Sequence, residues 1–421
     1  MACARDITKM DKTIVPVLLG ADLNCYNIAR AFHMRYGVKS YAFGRYAIAP
    51  TKYSTIVHFT IVPTIDRDDV MLDTLHRFAD AHIGDTMVLF GCTDDYAAMI
   101  IRNREELSDF ILPYTKAELM EPLAKKAEFY ETCEKFGIPY PKTVVLTEKA
   151  ELSALSPDAL GFSYPIIVKP SSSVDYWKHP FDGMKKVYVA KSVEDAKSII
   201  DAIYDAGYPD KMILQEFIPG GDSQMRVLTT FSDHNGRVRA MCLGHTMLEE
   251  HTPKGLGNHA AIVTEPVSDL PVAAKIKEML ESVGYTGFGN FDIKLNPNDP
   301  MGKDYRVFEI NLRQGRSNFY VTAAGLNIAY LATEVYPSNG DDCVMNDREV
   351  FWHHIPRAVA YSYTDDPVLV EKAKSLDRAG AEYSSLWYPP DMCRSPLRLV
   401  CVLEQLRRQK KKYRTYCQKY R

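Results

Sequence analysis

Long apolar runs and paired cysteines are both missing from the sequence. Nowhere does it contain the roughly 18 consecutive apolar residues that a membrane-crossing helix requires. The nine cysteines form no Cys-x-x-Cys pair and no metal-binding spacing with histidine, which excludes the common zinc motifs. Charged side chains interrupt residues 1–12, unlike a signal peptide. We therefore predict a cytoplasmic protein with reduced thiols, neither secreted nor membrane-spanning.

A strong net charge is also absent, because 51 Lys and Arg residues nearly balance 54 Asp and Glu residues and leave a formal charge of −3. This balance gives no global field that would attract nucleic acid, so we expect no nucleic-acid partner. With 46% hydrophobic and 25% charged residues, the chain has the composition of a folded globular protein. A chain of 421 residues is longer than a single hydrophobic core usually accommodates, so we predict several domains. Nothing in the composition indicates an oligomeric state.

The first part of the chain alternates buried-strand and helix patterns. The apolar run of residues 14–20 precedes helical spacing over residues 24–36, and the same unit recurs at residues 87–92 and 96–102. Gly20 and Gly91 end the two strands without a complete G-x-G-x-x-G fingerprint, so tight turns are favoured over a dinucleotide site. We predict a three-layer α/β domain over residues 1–122.

The middle of the chain has a different pattern. Residues 122–136 have helical spacing that stops at Gly137, and residues 164–295 contain short β-like runs around a predicted helix at residues 193–204. This indicates α+β structure with antiparallel sheets over residues 123–335. The Pro, Ser, Asn and Gly residues after Tyr336 mark a boundary, leaving residues 336–421 as a C-terminal extension.

Two β-like runs carry acidic side chains. The run VFEIN places Glu309 and Asn311 two residues apart and so on one strand face, and residues 287–295 carry Asp292 on a second strand. A turn-rich loop between them allows an antiparallel hairpin with these side chains on one face. Such hard oxygen donors suit Mg²⁺, and Arg313 just beyond can meet a phosphoryl group. The alternative is a hairpin whose polar face is simply solvated.

Two further segments carry weaker signals for a phosphate or nucleotide site. Lys169 ends a buried-looking strand and is followed by Pro170 and three serines, an arrangement that can place an ammonium and hydroxyls on a phosphate. A lysine reaching solvent before a polar turn is the alternative. Residues 212–220, MILQEFIPG, can serve as a linker strand beside adenine and ribose or as an edge strand with a polar kink.

In this order, the segments resemble the signature of ATP-grasp ligases. The resemblance covers about 200 residues, from FYETCEKFGIPYPKT through VKP and QEFIPG to FDIK and FEINLR. It implies a Rossmann-like pre-ATP-grasp α/β domain followed by two α+β subdomains that clamp ATP, with ATP and two Mg²⁺ ions as cofactors. The cover segment SSSVDYWKHPFDG departs from the usual glycine-rich pattern.

The resemblance also assigns roles to individual residues. Those implied for ATP binding are Lys126, Lys169, Ser171, Ser172, Ser173, Gln215, Glu216, Phe217, Ile218 and Asp222. Lys125 is an alternative to Lys126. The implied metal ligands are Asp292, Glu309 and Asn311, and the implied catalytic residues are Arg313, Arg226 and Lys294. A clamp for a donor with two carboxylates is predicted from Arg313, Arg316 and Lys294.

Most of residues 12–335 is similar, more closely, to bacterial D-aspartate ligases, in runs such as VPVLLGADLNCYNIARAF and FEINLRQGRSNFYVTAAGLN. This implies an ADP-forming ligase that activates D-aspartate as an acyl-phosphate. The implied acceptor is the lysine amine of a nucleotide-linked peptidoglycan precursor, the UDP-MurNAc-pentapeptide. A ligase for another amino acid or a dipeptide, and a non-catalytic nucleotide-binding regulator, stay open as alternatives.

Three polar features lie outside these motifs. His245 is a candidate base for the attacking amine, although a lone histidine is more often structural. Residues 251–258, with Lys254, can form either a substrate loop or an ordinary hairpin loop. The basic tail of residues 407–421 can contact anionic membrane lipid or nucleic acid, or be a solvated terminal helix.

Overall fold

A computed structural model describes residues 13–252 and 255–417, without the side chains of Ser173 and Val174. Lys254 and residues 418–421 lie outside the described part. Three sheets organise the described residues, one parallel and two mainly antiparallel, each packed with helices. The predicted fold class, an α/β unit followed by α+β structure, is confirmed.

The N-terminal unit is a five-stranded parallel sheet with strand order β3-β2-β1-β4-β5. Its strands are β1 Ile14–Leu19, β2 Ser40–Gly44, β3 Val57–Ile61, β4 Thr86–Gly91 and β5 Phe110–Ile111. Its helices are α1 Leu23–Tyr36, α2 Asp68–Asp80 and α3 Asp94–Arg102. Helices α1 and α3 begin one and two residues before the predicted helical spacing, and the side chains of Asp22 and Thr93 cap them by accepting the N–H groups of Cys25 and Tyr96.

Both glycines at strand ends serve tight turns, as their sequence context suggests. Gly20 has φ +137°, a conformation that other residues rarely adopt. A Cβ on Gly91 would lie 2.5 Å from the backbone nitrogen of Ala97, so only glycine lets strand β4 pass this close to helix α3. The carboxyl ends of β1 and β4 are thereby brought close to the helix starts that follow them.

The second unit begins with two short helices and a four-stranded antiparallel sheet of order β6-β9-β7-β8. The strands are β6 Thr143–Leu146, β7 Ile166–Pro170, β8 Tyr188–Ala190 and β9 Met212–Glu216. The helices are α4 Met120–Ala124, α5 Lys126–Lys135, α6 Pro157–Leu160, α7 Ser173–Tyr176 and α8 Val193–Asp205. One helix was predicted for residues 122–136, but the extended backbone of Lys125, at φ −81° and ψ 129°, separates α4 from α5.

The third unit is built on an eight-stranded sheet, in which the order is β14-β13-β10-β11-β12-β16-β17 and β15 pairs with β11. Its first five strands are β10 Met225–Ser232, β11 Val238–Glu249, β12 His259–Glu265, β13 Gly287–Leu295 and β14 Tyr305–Asn311. Its helices are α9 Ala273–Ser282, α10 Phe319–Ala323 and α11 Ile328–Tyr330. Strands β13 and β14 form the antiparallel hairpin that the sequence predicts.

The C-terminal segment continues this sheet instead of forming a sheet of its own. It adds β15 Val344–Met345, β16 Phe351–His353 and β17 Glu382–Ser384. Its helices are α12 Arg357–Tyr363, α13 Pro367–Arg378, α14 Pro389–Met392 and α15 Pro396–Tyr416. Within the described residues, no helix combines the length and apolar character needed to cross a membrane. The division of the chain into domains after residues 122 and 335 stays a prediction.

A shared apolar core joins the N-terminal sheet, the large sheet and the C-terminal segment. Leu18 and Phe90 of the parallel sheet belong to the same buried cluster as Val227 of β10, Trp352 of β16 and Val402 of α15. Because burial of apolar surface is the main favourable term in folding, these parts stabilise one another. The C-terminal segment is therefore part of the folded body that carries the site.

A buried ion pair also holds the last helix on the N-terminal unit. The Nε atom of Arg398 lies 2.7 Å from Oδ2 of Asp391, and neither side chain is exposed to solvent. Asp391 also accepts hydrogen bonds from the Tyr26 hydroxyl and the Thr55 N–H group. Arg398 donates to the carbonyl of Ala49. Removing one member of such a pair leaves an uncompensated buried charge.

We predict that Arg398→Met lowers the free energy of unfolding by about 3–5 kcal/mol, because the Asp391 carboxylate stays buried without its cation. Urea denaturation followed by circular dichroism measures the loss. The matched control is Arg407→Met on the same helix, which removes an exposed arginine and should leave the unfolding curve unchanged. Equal curves for all three proteins would contradict a structural role for the buried pair.

Candidate functional site

The hairpin of β13 and β14 carries the predicted oxygen donors on one face. Asp292 is directly opposite Glu309, and Asn290 is directly opposite Asn311. Directly opposed residues of antiparallel strands point to the same side, with Cβ atoms about 4.5–5.5 Å apart. Asn311 shares this side because it is two residues from Glu309. The structure therefore brings Asp292, Glu309 and Asn311 together.

Lys126, and not Lys125, reaches this face. The ammonium of Lys126 lies 2.9 Å from Oε2 of Glu309, whereas Lys125 pairs with the exposed Glu121 at 2.6 Å. The attraction of Lys126 holds the pKa of Glu309 well below its usual range, against the opposing effect of burial. The break between helices α4 and α5 allows the two neighbouring lysines to point in different directions.

Lys169 is buried at the end of β7. Its ammonium donates to Oε1 of Gln215 at 2.9 Å and to the Tyr130 hydroxyl at 3.2 Å. Burial and repulsion by Lys126 lower the pKa of Lys169 to about 7, although Glu309 attracts the charged form. The ammonium is therefore close to losing its proton at neutral pH, and a nearby anion would stabilise its charged form.

Lys186 is a third lysine near Glu309, and the sequence analysis missed it. Its positive charge also lowers the pKa of Glu309 and that of Lys169. Lys186 stands just before β8, after the cover segment, in no motif that marks it. Its role arises only because β8 pairs with β7, the strand that carries Lys169.

The side chains of the linker strand have partners within the protein. Gln215 was expected to contact adenine, but its side chain is buried and donates to the Tyr130 and Thr143 hydroxyls while it accepts from Lys169. The carboxylate of Glu216 accepts the N–H group of Lys142 at 3.1 Å. Ile218 is buried and its carbonyl accepts from a lysine of β13. Gln215 therefore orients Lys169, and contact of residues 215–218 with adenine stays a prediction.

The three serines after β7 form a capped helical turn instead of an open loop. The Ser172 hydroxyl donates to the Asp175 carboxylate at 2.8 Å and accepts the Asp175 N–H group. The N–H group of Ser171 is bound to the Lys211 carbonyl, and its buried hydroxyl has no hydrogen-bond partner in the described part. Ser173 begins helix α7, and its side chain is outside the described residues. Of the two serines whose side chains are described, only Ser171 has a hydroxyl without a partner in the described part.

A second group of polar side chains lies along the same face, towards the linker. Oδ2 of Asp222 accepts the Glu249 N–H group at 2.9 Å and contacts Nε2 of His251 at 2.7 Å. Nε2 of His259 lies 3.6 Å from Oδ1 of Asp292. Burial raises the pKa of Glu249 to about 7, against the attraction of His259. Asp222 lies near the linker and its contact with ribose stays a prediction, while Glu249 and both histidines belong to no recognised motif.

Lys294 does not join the predicted clamp with Arg313 and Arg316. Its ammonium donates to the carbonyls of Ile218 at 3.0 Å and Gly220 at 2.9 Å. Lys294 is opposite Arg306 in the hairpin, at the far end from Asn311, after which the two arginines follow. The antiparallel register therefore separates Lys294 from Arg313 and Arg316. Lys294 binds the linker and is not part of the predicted clamp.

Arg226 also lies away from the oxygen donors. It is opposite Ile293, the neighbour of Asp292, and alternation along the strand therefore turns it to the other face of the sheet. There it donates to Glu265 at 2.9 Å, and His245 contacts the same carboxylate at 2.6 Å. The prediction of Arg226 as a catalytic residue and of His245 as a base is not supported by this placement.

Arg313 and Arg316 lie where the large sheet meets the N-terminal unit. Arg313 donates to Asp94 at 2.7 Å, and Arg316 donates to Glu250 at 2.9 Å. Asp22 lies 3.9 Å from Nε of Arg316, and burial raises its pKa despite the attraction of this arginine. The side chains line the carboxyl ends of β1 and β4, the edge of a parallel sheet where ligands usually bind.

Buried amides fix this junction. Gln314 donates to the Gly91 carbonyl at 3.1 Å, and Asn318 donates to Oδ1 of Asn24 at 2.7 Å. Asn24 in turn donates to the Cys92 carbonyl at 2.9 Å. Because buried polar groups are costly unless hydrogen-bonded, this network specifies one arrangement of the segment after β14 on the strand ends. It thereby orients both arginines.

We predict that the stability contributed by Lys169 depends on pH. Its pKa of about 7 in the folded protein is below the ordinary value of 10.5, so the unfolded chain binds more protons between these values. The free energy of unfolding of the natural protein, relative to Lys169→Met, should therefore rise from pH ~7 to pH ~9, by at most about 1.4 kcal/mol per unit. Denaturation at several pH values measures it.

The matched control for this titration is Lys125→Met, because the pKa of Lys125 is raised by its hydrogen bond to Glu121 and the side chain stays charged throughout this range. Its stability difference from the natural protein should not change between the same pH values. A difference for Lys169→Met that is equally flat would show that Lys169 is fully protonated in the folded protein.

The chain is 38% identical over 396 residues to D-aspartate ligase of Enterococcus faecium (strain Aus0004), covering 90% of this chain and 92% of the relative. No protein-family profile matches it.

Among solved structures, biotin carboxylase from Campylobacter jejuni has a TM-score of 0.58 at 13% identity, covering 80% of this chain and 74% of the other. L-amino acid ligase from Bacillus licheniformis has a TM-score of 0.54 at 14% identity, covering 78% and 75%. At these identities the structures show the fold alone, which is that of the ATP-grasp carboxylate–amine ligases. By its similarity over nearly its whole length, the chain belongs to the D-aspartate ligase family and is an ATP-dependent carbon–nitrogen ligase.

Proposed function

We propose that this ligase activates the β-carboxylate of D-aspartate as an acyl-phosphate and joins it to an amine. The proposed acceptor is the lysine side chain of the UDP-MurNAc-pentapeptide precursor of peptidoglycan. The name of the E. faecium relative supports the donor. The acceptor and the place of action, the cytoplasm, rest on the resemblance of the sequence to bacterial D-aspartate ligases. Another amino acid or a dipeptide product is an outcome of the test below.

The main support for the proposal is that lysine and carboxylate side chains lie together at one face of the β13–β14 hairpin. Lys126 contacts the carboxylate of Glu309, the charges of Lys186 and Lys169 also lower its pKa, and Asp292 lies directly across from it. Lysines provide cations for the phosphates of ATP, while carboxylates provide oxygen donors for a metal ion. A surface that needed only one of these functions would not require both sets of side chains within one cluster.

The donor set at this face fits magnesium. Asp292 and Glu309 provide carboxylate oxygens and Asn311 an amide oxygen, all of them hard donors. Mg²⁺ takes about six oxygen ligands and commonly shares them with phosphates and water, so three protein donors are appropriate. When bound, the metal would neutralise phosphate charge. We propose Asp292, Glu309 and Asn311 as its protein ligands, whatever the number of ions.

The proposed reaction has two steps. A donor carboxylate oxygen forms a bond to the γ-phosphorus as the bond from that phosphorus to the β,γ-bridging oxygen breaks, releasing ADP. The amine then forms a bond to the acyl carbon, phosphate leaves with its electron pair, and the amine loses a proton to solvent or to a nearby base. Lys126 and Lys169 hold the phosphates and stabilise the charge that develops on them.

The donor clamp is proposed from Arg313 and Arg316. Both guanidinium groups lie beside carboxylates of the protein, at Asp94 and Glu250 respectively, in the junction between the N-terminal unit and the large sheet. A dicarboxylic donor needs one carboxylate held while the other faces the γ-phosphate, and arginine binds carboxylates through paired N–H groups. Asp22, close to Arg316, provides a negative charge beside the donor's ammonium group.

We predict that Lys126→Met lowers kcat/KM for ADP formation at least about 100-fold, a change of roughly 2.7 kcal/mol, because a cation beside the phosphates is lost. Lys125→Met, which removes the adjacent lysine and its exposed pair with Glu121, should retain nearly full activity. A coupled ADP assay measures both variants. Equal losses, or a larger loss in Lys125→Met, would contradict the assignment.

The substrate proposal is tested by phosphate release with D- and L-amino acids in the presence of hydroxylamine and no acceptor. D-aspartate should give a hydroxamate and stimulate release well above D-alanine or D-serine, because these donors lack the second carboxylate that the clamp needs. Arg316→Gln should raise the KM for D-aspartate by about 10-fold or more with little effect on the KM for ATP. Equal stimulation by monocarboxylic amino acids would refute the donor assignment but not the ligase mechanism.

The acceptor is tested separately by adding the lysine-containing precursor to the reaction with the preferred donor. Mass spectrometry should show a product heavier by one aspartyl residue, and omission of the precursor should leave only hydroxamate or hydrolysis. If ATP is bound but no donor stimulates its turnover, the chain is a nucleotide-binding regulator instead.

A further inference from the structure

Helix α15, Pro396–Tyr416, has an outward face that no other described element covers at its amino-terminal half. Leu397, Val400 and Leu403 are 61%, 62% and 49% exposed. They are spaced three residues apart and therefore follow one side of the helix. The opposite side is firmly packed, with Arg398 and Val402 fully buried. The apolar stripe is thus presented by a rigidly held helix.

The same outward side becomes strongly cationic in the carboxyl-terminal half of the helix. Six exposed basic residues follow the apolar stripe in the sequence, namely Arg407, Arg408, Lys410, Lys411, Lys412 and Arg414. By helical spacing, Arg407, Lys410, Lys411 and Arg414 continue the side of the stripe, whereas Lys412 is turned towards the packed side. One carboxylate among them, Glu404, pairs with Arg407 and Arg408. A protein with a formal net charge of only −3 therefore concentrates a large excess of positive charge on two turns of one helix.

The amino-terminal end of α15 lies beside an exposed tyrosine that is paired with a lysine. The Ser395 hydroxyl donates to the Tyr53 carbonyl at 3.4 Å, and the Lys52 ammonium lies 5.0 Å from the centre of the Tyr53 ring. Tyr53 is 48% exposed and has φ +61°, which holds it at the surface in a turn. Tyrosine is frequent where protein meets the polar surface of a bilayer.

We propose that this face of α15, with Leu397, Val400, Leu403 and the basic residues 407–414, binds the surface of an anionic lipid bilayer. An apolar stripe beside Lys and Arg residues is the arrangement by which helices lie in the interface, with apolar side chains inserted and cations at the headgroups. Because the buried Arg398–Asp391 pair holds α15 on the N-terminal unit, binding of this helix to a bilayer would attach the whole protein. The proposal does not depend on the substrate of the ligase.

Charge complementarity favours a bilayer over the other occupants of such a face. A second copy of the chain would bring two cationic segments close together, and it would leave the basic turns without partners. Nucleic acid would satisfy the cations but leave Leu397, Val400 and Leu403 in water. An anionic bilayer would bury the apolar side chains among its lipids and pair the basic residues with its headgroups.

The experiment is co-sedimentation of the full chain with vesicles of phosphatidylcholine, with and without roughly one-third phosphatidylglycerol. We expect binding to the anionic vesicles to exceed binding to the neutral ones at least about 10-fold and to weaken as NaCl rises from ~0.1 to ~0.5 M. The triple variant Leu397→Ser, Val400→Ser, Leu403→Ser and the triple variant Lys410→Glu, Lys411→Glu, Arg414→Glu should each lose most of it.

Matched controls replace the same kinds of side chain at other positions on the surface. Ile83→Ser, Met301→Ser and Val368→Ser replace three other exposed apolar side chains, and Lys116→Glu, Lys135→Glu and Lys303→Glu reverse three other exposed lysines. Both triple controls should bind vesicles like the natural protein. Circular dichroism must show that every variant is folded.

Three results would overturn the proposal. The first is equal binding to neutral and anionic vesicles, which would exclude charge recognition. The second is unchanged binding by both α15 variants. The third is absence of vesicle binding together with a concentration-dependent dimer that the serine variant abolishes in sedimentation velocity, which would identify a second copy of the chain as the occupant.

Discussion

The carboxylate of Glu309 lies in a largely buried position and stays ionised there because cations surround it. Lys126 comes from helix α5, Lys169 from the end of β7 and Lys186 from the segment before β8. A buried charge without partners would be strongly unfavourable, so the packing of these elements on the β13–β14 hairpin and the charge of the site depend on each other. The four-stranded sheet and the large sheet meet at this ion cluster.

A second constraint fixes the segment that follows β14 on the N-terminal unit. Gln314 and Asn318 bind backbone and side-chain groups at the ends of β1 and β4, and Gly91 allows the close approach of strand and helix there. The segment after β14 therefore continues from the oxygen donors directly onto the N-terminal unit. Arg313 lies within this segment, and its position is set by contacts with both units.

The sequence was sufficient for the fold class and for the hairpin because these have strong local signals. Alternation along VFEIN fixes which residues share a face, and Gly20 and Gly91 mark tight turns at strand ends. The contacts of long side chains were not predictable in this way. Lys294 and Arg226 were assigned from motif position, but strand register places one at the linker and the other on the far face. Lys186, Glu249 and His259 carry no local signal and enter the site only through strand pairing.

The position of Gln215 shows what the linker motif accomplishes physically. Its amide links Lys169, Tyr130 and Thr143, so it holds the lysine on a strand where burial and neighbouring cations oppose its charge. Lys126 and Lys186 both lower the pKa of Lys169 by repulsion. Because these lysines repel one another, a bound anion would stabilise their charged forms. This mutual repulsion is the electrostatic basis on which we propose a polyphosphate as the ligand of the site.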